Sequence, residues 1–239
     1  MNINFPDNIQ QVIKAHESAP QVIQDFFTDD DIKYLKDMRN VLPKEEKHAG
    51  VINYRFNESK EVLDWLYEKS FPLVGDVLRH GGNYFTTPHP FHVHTDTSKL
   101  EKASKGYVPY KNVVIPLCGN GNGDYSTILF NQRSYSEASH YWAGSVFKYF
   151  DNPVYNHKIT DFENVEHMES TPMDPVQYAK YLSHLPYENV MNLSIHTVVP
   201  WNFNSVIVFD GSMLHSSNNF SLHQPIKEGL ALFVSRKAI

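Results

Sequence analysis

Residues 84–96 read Tyr84-Phe-Thr-Thr-Pro-His-Pro-Phe-His-Val-His-Thr-Asp96, and this stretch decides how the remainder is read. Its Tyr, Phe, Thr and Val content favours extended structure. On a strand, residues two apart project to the same face, so His94 and Asp96 present an imidazole and a carboxylate side by side. His92 shares that face, but three ligands on one strand do not close around a metal. Far down the chain, the apolar run Val206-Ile-Val-Phe-Asp-Gly-Ser-Met-Leu-His215 ends on another histidine.

Two histidines and one carboxylate, bound facially, are the ligand set of a non-haem Fe(II) centre with open positions. A His-x-acid tripeptide is weak by itself. With 13 His and 27 acids the chain contains two, about what chance gives, so context must choose between them. His167-Met-Glu169 lies in a polar insertion without strand pattern and reads as a solvated loop. His94 and Asp96 lie in β-rich sequence, and His215 ends a strand. Further on, Lys227-Glu-Gly-Leu-Ala-Leu-Phe-Val234 reads as the final strand, with Lys227, Gly229 and Ala231 on one face. A lysine facing a barrel interior is costly unless an anion meets it.

The organisation around these motifs is that of an ordinary globular chain. Its 239 residues suffice for one domain with a sizeable core. A net charge of −6 without a basic run excludes a general nucleic-acid or anionic-membrane binder. The single cysteine, Cys118, allows no internal disulfide and fits a reducing compartment. No apolar run is long enough to span a membrane, and the polar start Met1-Asn-Ile-Asn-Phe-Pro-Asp7 lacks a signal-peptide core. The expectation is a cytoplasmic protein with no nucleic-acid or membrane partner.

Residues 1–82 read mainly as helix. Thr28 to Asp31 form a capping box, Val51 to Phe56 a short strand, and Ser59 opens a helix ending at Pro72. A further short helix at Leu73 to Leu78 ends on a Gly81-Gly82 turn. Strands follow at Lys111 to Leu117, Tyr125 to Phe130, Ser145 to Phe150, Leu193 to Val199, Ser205 to Phe209 and Gly229 to Val234. Gly119 to Gly123 is a turn, not a phosphate loop. An insertion at 151–192 carries one helix, capped by Asp174 with Pro175 at its first position and running to Leu185. It is expected at the barrel mouth, where Arg133, His140, Tyr141 and Trp142 are also placed. Helices and then strands give a mainly β fold: a jelly-roll core over 83–239, buttressed by N-terminal helices, within one domain.

From about Tyr84 to Arg236 the chain resembles the Fe(II)- and 2-oxoglutarate-dependent dioxygenases, nearest their prolyl-hydroxylase and phytanoyl-hydroxylase-like branches. Their HxD strand, distal His and basic residue on the final strand occur here in that order. The resemblance implies a double-stranded β-helix with His94, Asp96 and His215 as metal ligands. It makes Lys227 the partner of the distal carboxylate of 2-oxoglutarate. Tyr84, ten residues before His94, matches a Tyr that contacts the same carboxylate in the prolyl-hydroxylase branch. Lys227 lies twelve residues after His215, farther than is usual there, and Arg236 is the second choice. The implied cofactors are Fe(II), 2-oxoglutarate and O2. The implied reaction is decarboxylation of 2-oxoglutarate to succinate and CO2 with hydroxylation of a C–H bond of a small molecule or peptidyl proline. Asp96 argues against halogenation, in which the carboxylate is replaced. Two other readings stand: a cupin-like metal-binding protein or isomerase without 2-oxoglutarate, and a catalytically inactive binding domain.

Overall fold

The computed structural model of the chain describes residues 6–46, 51–96, 105–118, 125–135, 140–141, 156–157, 165–167, 169–220 and 226–238. The predicted strand at Ser145 to Phe150, the Gly119 to Gly123 turn and Trp142 lie outside the described residues.

The N-terminal part comprises α1 (Asp7–Ala15), β1 (Gln21–Ile23), α2 (Asp29–Val41), β2 (Lys44–Glu46), β3 (Ile52–Tyr54) and α3 (Lys60–Val74). Thr28 caps α2 in a complete capping box: its hydroxyl accepts from Asp31 N–H while Asp31 accepts from Thr28 N–H. α3 starts from Ser59 and runs through Pro72 to Val74, past the predicted stop.

The expected helix at Leu73 to Leu78 and turn at Gly81-Gly82 are both absent. β4 (Leu78–Thr87) runs straight through them. Gly82 is required by close strand approach, because a Cβ there would lie 1.8 Å from the Ala231 carbonyl oxygen. Then come β5 (Val93–His94), β6 (Tyr107–Pro116), β7 (Ser126–Ser134), β8 (His140–Tyr141), β9 (Asn156–His157) and β10 (Val165–Glu166). β11 (Ile195–Pro200), β12 (Val206–Asp210), β13 (Met213–Ser217) and β14 (Lys227–Lys237) complete the chain.

The strands form two sheets, a jelly roll. The first has the order β1-β12-β6-β14-β4-β3-β2, and the second β10-β7-β13-β5-β8-β9, with β11 also on β7. Alternation then assigns every core residue to a face. Val113, Ile115, Val208, Leu230 and Leu232 turn outward against Leu35, Met38, Val62 and Leu66 of α2 and α3. Their neighbours Val114, Ile207, Phe209 and Ala231 turn inward and meet Leu129 and Met213 of the second sheet. The predicted insertion helix is a turn at Pro175–Gln177, capped by Asp174 and continued by a π turn at Tyr178–Leu182. Leu182, Leu185, Val190 and Leu193 bury themselves against the outer face of the second sheet, on Ile128, Phe130 and Leu214.

Candidate metal centre and its cavity

β13 and β5 pair antiparallel with His215 opposite His94, so the two imidazoles leave the same face. Their ring centroids lie 4.1 Å apart and both line an interior cavity. Each ring is held from behind. His94 Nδ1 lies 2.7 Å from the His92 carbonyl oxygen, and His215 Nδ1 lies 3.1 Å from that of Met213. A carbonyl can only accept, so each Nδ1 donates and each Nε2 is left with its lone pair facing the cavity.

Asp96 lies just past the end of β5. Its Oδ2 is 3.1 Å from His215 Nε2 and 4.0 Å from His94 Nε2. One ligand atom from each of the three residues falls within 4.8 Å of the others. Two imidazole lone pairs and a carboxylate, converging from one side with a cavity on the other, fit a facially bound divalent metal. His92 is not in this group; it contributes its carbonyl to His94, and burial pulls its imidazole pKa down. His167 is exposed in a left-handed turn, and its carbonyl accepts from Gln132.

The cavity measures about 270 Å3. The ligands stand on the second sheet, and the first sheet faces them with Asn83, Phe85, Val114, Lys227, Ala231 and Phe233. Lys227 is 2% exposed. Its Nζ lies 3.9 Å from the centroid of the Trp201 ring, 3.4 Å from Ser217 Oγ and 3.5 Å from the Ser126 carbonyl oxygen. Among the described residues no carboxylate pairs with it. Burial pulls its pKa down to about 7, and the nearby Cys118 partly opposes this. The small residue beside it does not make room for a ligand. Gly229 makes room for Trp201, whose Cζ2 would lie 2.5 Å from a Cβ there.

Tyr84 is not brought to the cavity. It lies opposite Leu230 on the helix side of the first sheet, packs on Tyr54, and donates its hydroxyl to Glu228. Burial and that bond push its pKa up. Arg236 does not reach the cavity either; its guanidinium lies 5.3 Å from the Tyr110 ring centroid. Arg133 is also removed from the mouth, bound to Asp210 at 2.8 Å and to Glu17 at 3.4 Å. His140 and Tyr141 form β8, which pairs with β5 beside the metal-ligand strand.

One residue escaped the sequence reading. Asn112, 1% exposed on β6, donates from Nδ2 to Asp96 Oδ2 at 3.3 Å. Its only signal was an Asn within a run of β-branched residues, where Asn is depleted.

No protein-family model matches the chain, and no curated protein matches it in sequence. Several solved structures match in fold. The non-heme alpha-ketoglutarate-dependent carbocyclase SnoK from nogalamycin biosynthesis aligns with TM-score 0.51 at 11% identity, covering 98% of this chain and 85% of that one. HygX from Streptomyces hygroscopicus, bound to nickel and 2-oxoglutarate, gives 0.51 at 11% identity over 98% and 88%. The epimerase SnoN, in complex with Fe3+, alpha-ketoglutarate and nogalamycin RO, gives 0.50 at 10% identity over 97% and 85%. At such identities the likeness is one of fold alone: this chain shares its jelly roll with these proteins.

Proposed function

We propose that this chain is an Fe(II)- and 2-oxoglutarate-dependent dioxygenase that hydroxylates an unactivated C–H bond of a small molecule or peptide. The observation that carries the reading is the convergence of His94, Asp96 and His215 on a cavity whose facing wall holds the buried Lys227. The three ligands would hold the metal. With 2-oxoglutarate and O2 it would supply the oxidising power that leaves succinate, CO2 and a hydroxylated product. The residues supply everything else.

The backbone carbonyls of His92 and Met213 keep each Nδ1 protonated, so neither imidazole has to reorganise to offer Nε2. Lys227 supplies the charge that a distal carboxylate needs when it leaves water, with Ser217 Oγ beside it as a further donor. Trp201, 1% exposed, walls that end of the cavity and keeps water from the ammonium. The remaining described walls include Val51, Phe85, Phe91 and Phe233, with the amides of Asn53 and Asn83. They suit a substrate that is uncharged around the reacting carbon and offers a hydrogen-bonding group.

The test is an anaerobic titration with Fe(II) and then 2-oxoglutarate, followed by the visible charge-transfer band of the chelate. The band should appear, and admitting oxygen should then release succinate. Firm metal binding without 2-oxoglutarate binding would move the reading to a metal-dependent isomerase or binding protein.

A further inference from the structure

We infer that Asn112 is a positioning residue of the metal centre, holding the Asp96 carboxylate so that one oxygen faces the two imidazoles. This rests on the metal-dependent reading above.

The three ligands are not equally fixed by secondary structure. His94 and His215 lie on paired strands, and each ring is tied to a backbone carbonyl. Asp96 lies beyond the last residue of β5, where strand pairing no longer dictates its direction. A side chain that reaches its Oδ2 comes from the opposite sheet. Asn112 stands in the middle of β6, opposite Phe209 of β12 and Phe233 of β14. Its Nδ2 donates to the same Oδ2 that faces both histidines.

One feature says that the amide is kept for this donor. Its Oδ1 is buried and has no hydrogen-bond partner among the described residues, so the group bears an unsatisfied acceptor. An apolar side chain would fill the position between Phe209 and Phe233 without that burden. A donor on Oδ2 also fixes the rotation of the carboxylate. It would hold Oδ2 toward the two imidazoles when a metal is bound there.

The experiment uses the full chain loaded with Co(II), whose visible ligand-field bands report coordination, and measures the Co(II) dissociation constant by chelator competition. Asn112→Leu keeps the volume and removes the donor. Asn112→Asp keeps the shape and replaces the donor with an acceptor facing Asp96. Each should weaken Co(II) roughly ten- to a hundred-fold, the range for losing an outer partner of a ligand. Each should also shift the ligand-field bands, which a merely structural role would not do. If one variant fails to fold, the other decides. Wild-type affinity within twofold and superimposable spectra would sink the assignment while leaving the dioxygenase reading intact. A wild-type chain that binds no Co(II) would sink both.

Discussion

Among the described residues two lysines are buried, and they are treated in opposite ways. Lys111, 6% exposed, lies on β6 opposite Val234; Lys227, 2% exposed, starts β14 seven residues earlier. That separation is on the order of 20 Å along the strand. The region around Lys111 is closed upon itself. Its ammonium donates to Asp210, to Ser18 Oγ at 2.7 Å and to the His16 carbonyl at 3.3 Å. Asp210 in turn accepts from Arg133 at 2.8 Å and from the Ser18 N–H at 3.1 Å. The region around Lys227 offers an aromatic face, a hydroxyl and a carbonyl, but no described carboxylate. A charge buried for architecture brings its counter-charge from the chain. On the proposed reading, the place beside Lys227 is left to the carboxylate of a ligand.

The largest expected effect breaks the first half of this comparison. Asp210→Asn leaves the buried Lys111 without its anion and the half-buried Arg133 with Glu17 alone, and should cost about 3–5 kcal/mol of stability. Urea denaturation of the apo protein measures it. Lys227→Met, which removes an unpaired buried charge and keeps the stem, should be neutral or stabilising in the same assay. Equal losses from the two substitutions would erase the distinction.

Next in size is the ligand side. Lys227→Met should weaken 2-oxoglutarate about ten- to a hundred-fold or more, the equivalent of about 1.5–3 kcal/mol for a charge-assisted bond. Fe(II) binding should stay nearly intact. Arg236→Ala, stacked on Tyr110 away from the cavity, should leave the 2-oxoglutarate affinity unchanged. The reverse outcome would move the cosubstrate anchor to Arg236.

The smallest effect sharpens the comparison through pH. The ordinary lysine pKa is 10.5, and burial lowers that of Lys227 to about 7, so folding disfavours its proton. The penalty is fully present below pH 7 and is relieved as pH rises from about 7 toward 10.5, where the unfolded chain also loses the proton. The stability advantage of Lys227→Met should therefore shrink over that window. A bound carboxylate favours the charged form, so 2-oxoglutarate binding above pH 7 should take up a proton. Its affinity should then fall by up to about tenfold per pH unit until the pKa of the complex is reached. Calorimetry in buffers of different ionisation enthalpy would detect the uptake. A pH-independent affinity between 7 and 9 would show that the anchoring group keeps its charge across this window.

Much of the site was legible because its signals are local. His94 and Asp96 are two apart at a strand end, and His215 lies on an apolar strand. The alternation of Lys227, Gly229 and Ala231 along β14 also placed the lysine on the interior face. The role that the resemblance implied for Tyr84 fails for a reason that its ten-residue offset from His94 does not reveal. Tyr84 stands an even number of residues from His94, which would share a face on a continuous strand. β4 ends at Thr87 and β5 begins at Val93, and between them the chain passes from the first sheet to the second. Parity does not survive that passage. Gly82 misled similarly: a glycine that looks like a turn is here a strand residue lying against the Ala231 carbonyl.

The sequence by itself therefore determined the fold class, the capping of α2 and the residues able to bind metal. Each of these depends on side-chain chemistry and on periods of two or 3.6 residues within one element. Only the tertiary structure decided which elements face one another. It set His215 opposite His94, sent Tyr84 to the helix side with Glu228, and tied Arg133 to Asp210. It also carried Asn112 across the barrel to Asp96. Such contacts join residues far apart in the chain, and their geometry follows from sheet order and register, which no local pattern records.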